Sequence, residues 1–547
     1  MKIGIDLDNT IISYDDAFRH VAQKSGLIDK NFQGNKNEIK QLIRMQNQGE
    51  AIWQKLQGQV YGKYIHKANL FPGFKRFLRR CNQQKITVSV ISHKTEYGHY
   101  DEEKISLRES ALSFLKNQGI IIGNQGTALN KIIFTKTREE KIEKIRSNNF
   151  DWFIDDLIEV IGDSKLNDLP NRILFSEFNM EENSESVTCS SWNQIENQIL
   201  EPLTEFEIQA IASDILQRDI LSCHWIGGRG NSGIYKVTFS NKQNVVFKLY
   251  NDSKEHNRLY SEYNGSRKLL KLGVNQIPKP LISDKNFNCA TYQWVDGKKI
   301  QSPTLNHLGQ ALDFLNQLHN IKNKKEFQYF PRASASCFSG RDIELQLKQR
   351  INKFTKLDGN EENIKFYIHN ELEPFVDEVI FWSRKQWQEF DDFERELSYK
   401  DLTLSPSDFG FHNALETKNG QIIFHDLEYF GWDDPVKLMV DFSFHPAMNL
   451  DEKLLQEWFK KSIEIYGKKL VPKLLASWPL YGLCWTLILL NEFLPEVWNR
   501  RILANPAKIN QRKIILKEQL SSSKQLLNSI KNNYKDNPFL GATLINA

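Results

Sequence analysis

The first third of the chain is constrained above all by three short apolar runs that each end on a group able to do chemistry. Lys2 to Leu7 ends among Asp6 and Asp8, Ile86 to Ile91 ends at Ser92, and Phe150 to Ile154 ends at Asp155 and Asp156. Uniformly apolar runs of this length are expected of buried parallel strands. Between them lie polar stretches that read as helices. One runs from about Ser13 to Lys67 and is rich in Lys, Gln and Asn; another, FKRFLRRCNQ, follows the turn at Phe71-Pro72-Gly73. Strands alternating with helices predict an α/β fold with a parallel sheet. The polar groups then share the strand C-terminal edge, where open α/β sheets hold their ligands.

With 547 residues the chain is too long for one core, and its length predicts about three or four compact units, a two-lobed unit counting as two. Charged residues at 26% and hydrophobic ones at 40% are globular proportions. The net charge of +4 is too small and too evenly spread for a nucleic-acid groove or a membrane-binding face. Cys81, Cys189, Cys223, Cys289, Cys337 and Cys484 lie far apart with no CxxC pair. They read as thiols of a reducing compartment rather than a disulfide frame or a zinc site. The apolar stretch Trp478 to Leu490 falls short of the ~18 residues a bilayer span needs and reads as a buried helix. A strand directly at the start predicts that there is no signal peptide, and the cytoplasm is the expected compartment.

Composition shifts toward Glu, Asn and Ser at Asn179 to Gln198. This predicts a first domain at 1–180, a linker at 181–205 with room for a final short helix, and a second region from 206. There a helix near Phe206 precedes the Gly-rich segment Gly227 to Gly233, two strands at Ile234–Phe239 and Asn244–Tyr250, and a helix around Glu262. Beyond Gly297 the chain reads as mostly helical, broken by the irregular segment Leu404 to Asn413 and a strand at Gln421 to His425.

The residue types suit phosphoryl chemistry. Two carboxylates two apart at a strand end, Asp6 and Asp8, can reach one cavity, one attacking phosphorus while the other shuttles a proton. The Ser92 hydroxyl can donate to a phosphoryl oxygen, and Asp155 and Asp156 offer hard oxygen ligands to Mg²⁺. A lysine upstream of that pair would offset the negative charge; Lys141 is the first choice, with Lys136 and Lys144 as rivals. In the second region, glycines allow backbone N–H groups close to phosphates. Lys248, in VVFKLY, can reach nucleotide phosphates and pair with Glu262. Asp408 and Asn413, in SPSDFGFHN, have the spacing of a kinase catalytic loop, and Asp426 ends the strand IIFHD.

The first set of motifs resembles the haloacid dehalogenase-like phosphatases over roughly the first third of the chain. The resemblance implies a Rossmann-like domain with a helical cap at about 13–70 that selects substrate. It makes Asp6 the nucleophile that forms an aspartyl-phosphate and Asp8 the general acid/base. Thr10, Ser92 and Lys141 bind the phosphoryl group. Asp6, Asp8 through its carbonyl, Asp155 and Asp156 hold Mg²⁺.

The second set resembles the aminoglycoside phosphotransferase and choline kinase-like family over most of residues 206–445. That implies a two-lobed, protein-kinase-like α+β domain with lobes at 206–297 and 298–547. By resemblance Gly228, Gly230, Ser232 and Gly233 cover ATP. Lys248 binds its phosphates, held by Glu262, and Gln293 to Val295 form the hinge beside adenine. Asp408 is the catalytic base, Asn413 and Asp426 bind Mg²⁺, Glu428 assists, and Asp441 is the structural carboxylate. One place departs from the family pattern: Pro406 stands where a histidine usually precedes the catalytic aspartate by two residues.

Other residues take plainer readings. His412 is a loop-packing histidine, His425 faces the far side of its strand, and His93 is a satisfied polar edge. Trp478 and Trp485 are core or pocket wall. The expected function is a bifunctional Mg²⁺-dependent phosphatase and ATP-dependent kinase acting on a sugar or polyol phosphate. An antibiotic-modifying phosphotransferase and a non-catalytic nucleotide and phospho-ligand sensor are the alternatives. The expected partners are a small phosphorylated metabolite and ATP. Nucleic-acid end repair is disfavoured by the absence of a GxxxxGK[ST] loop.

Overall fold

In a computed structural model the chain is a mixed α/β protein, described here for 1–547 apart from residues 31, 33, 101–102, 124–126, 177–185, 228–231, 252–255, 358–361, 449, 505–509 and 538–547. It divides into two compact units, Met1–Arg218 with Asp284–Cys289, and Asp219–Ser283 with Ala290–Ala547.

The first unit is organised by a six-stranded sheet: β1 (Lys2–Ile5), β2 (Thr87–His93), β3 (Lys131–Thr135), β4 (Trp152–Asp155), β5 (Asn171–Phe175) and β6 (Val187–Cys189), in the order β6-β5-β4-β1-β2-β3. All five pairings are parallel, in keeping with apolar runs that bury both faces. Ile3, Ile5, Val90 and Ile154 are fully buried. Gly4 is demanded by packing, because a Cβ there would lie 2.5 Å from the Phe153 ring and 2.7 Å from that of Phe150. Central β1 and β4 bring Asp6 and Asp155 to one edge of the sheet.

Polar residues 13–67 form α1 (Asp15–Lys24), α2 (Lys36–Arg44) and α3 (Gly49–Tyr61). The Asn35 side chain accepts from Glu38 N–H and Glu38 returns the bond, a reciprocal cap that starts α2 just before Lys36. The core of this layer is a stack of Phe18 on Trp53, ring centroids 4.8 Å apart. Next come α4 (Phe74–Gln83), α5 (Leu107–Asn117) and α6 (Arg138–Ser147).

The segment expected to be a linker at 181–205 carries regular structure where it is described, with β6 extending the sheet and α7 (Trp192–Ile199) packed against α4 and β6. The physical reason is Trp192, which is fully buried against Phe74, Phe77 and Phe175 and donates Nε1–H to the Thr10 carbonyl at 2.9 Å. The helix expected to open the second region, α8 (Glu205–Leu216), belongs to the first unit as well. Buried charge fastens both helices. Glu196 on α7 takes Arg76 at 2.8 Å and Arg80 at 2.9 Å, and Arg80 also reaches Glu207 on α8 at 3.1 Å.

The second unit starts with the five-stranded sheet of β7 (Ile220–Gly227), β8 (Ser232–Phe239), β9 (Asn244–Tyr250), β10 (Pro280–Asp284) and β11 (Cys289–Gln293), ordered β7-β8-β9-β11-β10. After β9 a π-helical turn at Tyr260–Asn264 leads into α9 (Gly265–Lys271) and carries Glu262. The remainder is mainly helical: α10 (Leu305–Ile321), α11 (Gly340–Thr355), α12 (Glu373–Trp387), α13 (Pro435–Phe444), α14 (Glu452–Tyr466), α15 (Val471–Ile488) and α16 (Arg512–Asn533). Short strands interrupt it: β12 (Gly297–Lys299), β13 (Thr403–Ser405), β14 (Ala414–Thr417), β15 (Ile422–Phe424) and β16 (Gly431–Asp433). Strands β12, β14 and β15 form one small sheet, and β13 pairs with β16. One stretch, Lys468–Phe493, is long and apolar enough to cross a membrane, and 72% of its most apolar window is buried inside the fold.

Candidate functional sites

The first site is built where β1 ends. Past Leu7 the chain turns tightly: Ile11 and Ile12 both donate N–H to the Leu7 carbonyl at 3.0 Å, and Asn9 takes a left-handed φ of 60°. This turn holds Asp6, Asp8 and Thr10 beside the end of β4. Single oxygens of Asp6, Asp155 and Asp156 lie within 4.8 Å of one another. Helix α6 begins under the cap of Thr137, whose hydroxyl accepts from Glu140 N–H at 3.1 Å. Its first turn places Lys141 Nζ 2.6 Å from both Asp6 Oδ1 and Asp155 Oδ2. Lys136 and Lys144, the rival lysines, are exposed. The hydroxyls of Thr10 and Ser92 are buried and find no hydrogen-bond partner among the described residues.

Electrostatics are severe in this space. Burial pushes the Asp6 carboxyl well above the ordinary range; Lys141 opposes that, and Asp155, Asp156 and Asp8 add to it. Asp156 is pushed up to about 7 by burial and by Asp155. Burial works against the Lys141 charge, but Asp6 and Asp155 outweigh it and raise its basicity. A divalent cation would relieve this crowding. The hard oxygen set fits Mg²⁺, and the two orphaned hydroxyls are donors suited to phosphoryl oxygens.

Three participants are invisible in the motifs. Lys94 is buried and donates to Asp8 Oδ2 at 2.6 Å, and Tyr14 donates its OH to Asp8 Oδ1 at 2.6 Å. Burial raises the Asp8 carboxyl, yet Lys94 and Tyr14 more than cancel that and leave it below the ordinary range. Lys36, the first residue of α2, donates to Asn9 Oδ1 at 3.0 Å and to Tyr61 OH at 3.1 Å, tying the helical layer to the β1 turn. The position of Lys94, two residues past Ser92 in the same polar strand end, was the available signal.

The second site centres on Lys248 of β9. Its ammonium lies 2.7 Å from Glu262 Oε2 and 3.1 Å from Glu428 Oε2, and it also contacts Asp426 Oδ1. Tyr250 OH donates to Glu262 at 2.8 Å and meets Tyr292 OH at 2.7 Å. Glu262 is pushed up to about 7, by burial first, with Lys248 opposing and Asp426 and Glu428 adding. Oxygens of Glu262, Asp426 and Glu428 lie within 4.8 Å of one another, a set that also fits a hard cation. Asp426 adopts φ 66° and Ser407 φ 66°, conformations seldom used by residues with a Cβ and concentrated at functional loops.

Asp408 stands in the loop after β13. Asn413 Nδ2 donates to the Asp408 carbonyl at 2.9 Å and to its Oδ2 at 3.3 Å. Contrary to the reading of His412 as loop packing, its Nε2 sits 3.1 Å from Asp408 Oδ1. Burial favours the neutral Asp408, but the hydrogen bonds it accepts from His412 and Asn413 outweigh it and hold the carboxyl below its ordinary range. Asp441 accepts Trp485 Nε1–H at 2.8 Å and pairs with Lys437 at 2.6 Å.

The remaining sequence-derived positions are spread along the N-terminal sheet of the second unit. Ser232 and Gly233 open β8, with Gly233 opposite Leu249. Gln293 ends β11 and is exposed, and Val295 follows it half-buried. Gly228 and Gly230 lie outside the described residues. His93 Nε2 meets the Lys136 carbonyl at 3.0 Å, the satisfied edge anticipated for it.

No protein-family model matches the chain, and a search of curated proteins finds no match. Solved structures do align with part of it. A spectinomycin phosphotransferase bound to ADP and spectinomycin matches at 13% identity and a TM-score of 0.43, over 60% of this chain and 99% of its own. The choline kinase LicA from Streptococcus pneumoniae matches at 14% and 0.38, over 59% and 99%. An amicoumacin kinase solved with AMP-PNP and Ca²⁺ matches at 11% and 0.42, over 63% and 98%. Superpositions this loose do not assign a residue's role.

Proposed function

We propose that the chain is a bifunctional phosphoryl-handling enzyme, a phosphomonoester hydrolase in its first unit and an ATP-dependent alcohol kinase in its second. The observation that carries the reading is common to both sites. In each, a buried lysine bridges carboxylates from separate elements beside a set of hard oxygen ligands: Lys141 with Asp6 and Asp155, Lys248 with Glu262, Asp426 and Glu428.

At the first site Asp6 attacks the phosphoryl group. Thr10 and Ser92 donate to its oxygens, and Lys141 steadies the charge that builds on them. Asp8 handles the proton of the leaving group and then of the attacking water. Asp6, Asp155, Asp156 and the Asp8 carbonyl would hold Mg²⁺, which supplies charge neutralisation when bound. The layer of α1 to α3, joined to Asn9 through Lys36, selects the substrate. At the second site Lys248, fixed by Glu262, positions the ATP phosphates. Asp408 accepts the proton of the substrate hydroxyl, and Asn413 and Asp426 would hold Mg²⁺.

A chain that removes phosphate at one centre and adds it at another suits rearrangement of a sugar or polyol phosphate. The test incubates wild type, Asp6→Asn and Asp408→Asn with Mg·ATP and a panel of sugar phosphates and polyols, read by mass spectrometry. Dephosphorylation lost only in the first variant and ATP-dependent transfer lost only in the second support the proposal. ATP binding without turnover of any compound favours a sensor instead.

A further inference from the structure

Pro406 leaves the Asp408 loop without an imidazole on its N-terminal side, yet two imidazoles reach Asp408 from elsewhere. His412 Nε2 lies 3.1 Å and His445 Nε2 3.8 Å from the same oxygen, Asp408 Oδ1. The two rings stack face to face, centroids 3.9 Å apart and planes 3° from parallel. His445 follows the last turn of α13, 33 residues from His412, so the pairing is a product of the tertiary fold.

The hydrogen bonds fix the direction of each ring. Ala447 donates its backbone N–H to His445 Nδ1 at 3.2 Å, so Nδ1 bears the lone pair and the proton sits on Nε2, facing Asp408. His412 Nδ1 is buried with no hydrogen-bond partner among the described residues, which leaves its Nε2–H as the bonded edge. The stack thus aims two Nε2 edges at one carboxylate oxygen. The pair is backed from behind: the Trp485 ring meets His445 edge-on at 5.1 Å, and Trp485 Nε1–H is anchored on Asp441. With Oδ1 engaged by imidazoles, Oδ2 is the oxygen left to receive a substrate proton, its only other described contact being Asn413 at 3.3 Å.

We propose that His412 and His445 form a stacked imidazole clamp that positions Asp408, doing from the C-terminal side of the loop what a histidine at 406 would do from the other. The inference rests on Asp408 being the catalytic base. The clamp sets the carboxylate's rotamer and is a positioning device rather than a proton carrier.

The test uses the full chain with Mg·ATP, ADP release with water as acceptor reporting turnover, and a fluorescent ATP analogue reporting binding. A base displaced by about 1 Å loses roughly 10²-fold in rate. His412→Ala is therefore expected to lower kcat by about that factor with nucleotide affinity within about twofold, and His412→Gln, whose amide keeps a donor, to recover at least about tenfold of the loss. His445→Ala, acting across the longer distance, is expected to lower kcat less. Parallel loss of nucleotide affinity and kcat, or His412→Ala within twofold of wild type while Asp408→Asn is inactive, overturns the clamp and leaves the base in place. Undiminished turnover in Asp408→Asn overturns the base itself. His445→Asn provides an independent arm should His412→Ala fail to fold.

Discussion

Glu196→Ala is expected to unfasten the edge of the first unit. Both Glu196 oxygens are in use, one on Arg76 and one on Arg80, and all three side chains are at most 2% exposed. Truncation leaves two buried guanidinium groups facing a space that has lost its anion. Arg80 keeps Glu207, so the loss is borne mainly at Arg76. Breaking a buried ion pair from one side costs about 3–5 kcal/mol, because the surviving charge stays desolvated. For a unit of roughly 220 residues each kcal/mol lowers the midpoint by about 2–4 °C, which places the shift near 10 °C. Calorimetry of the full chain measures the midpoint, and hydrogen exchange over α4 and α7 locates the loss. Arg76→Ala combined with Glu196→Ala is expected to cost less than the two singles together, since the pair is coupled. A midpoint change under about 2 °C, or additive singles, would refute the argument that this buried network holds α7 to α4.

Other consequences follow from the same geometry. Lys94→Met removes the ammonium that keeps Asp8 acidic. In wild type the depressed Asp8 contributes stability that is full above its unfolded value and disappears as pH falls through the lower folded one. Urea midpoints measured from neutral pH down into that acid window should therefore fall less steeply in Lys94→Met than in wild type. Lys248→Met is expected to lower ATP turnover by about 10²-fold or more while phosphomonoester hydrolysis at the Asp6 site persists, checked in one preparation by phosphate and ADP assays. All six cysteines are buried, and burial lifts thiols such as Cys189 to about 11, so a disulfide reagent at neutral pH should titrate none in the native protein and six after unfolding.

Much of the first site was legible because its strands are uniformly apolar and its acids fall at their ends, so strand and edge could be read together. Lys141 was reachable only as one of three lysines; nothing local separates it from Lys136 and Lys144, and the position of α6 decides which becomes buried. Lys94, Tyr14 and Lys36 escaped because lysine and tyrosine in polar stretches are ordinarily solvated, and only the packing of α2 and α3 turns them inward. The segment at 181–205 was read as a linker with room for a short helix on its Glu, Asn and Ser content, and that helix is α7. Within it, Trp192 and Ile195 stand at helical spacing and fill the core. His412 was read as loop packing, while its partner His445 lies 33 positions on, where no spacing rule reaches.

The central claim, two separate phosphoryl-handling sites in one chain, is tested most directly by phosphorus NMR on a single mixture. It would contain Mg²⁺, ATP, a phosphomonoester and a polyol, with wild type, Asp6→Asn and Asp408→Asn compared. The account predicts that Asp6→Asn abolishes release of inorganic phosphate from the phosphomonoester while ADP formation continues, and that Asp408→Asn does the reverse. Loss of both signals in either variant, or of neither in both, would contradict it.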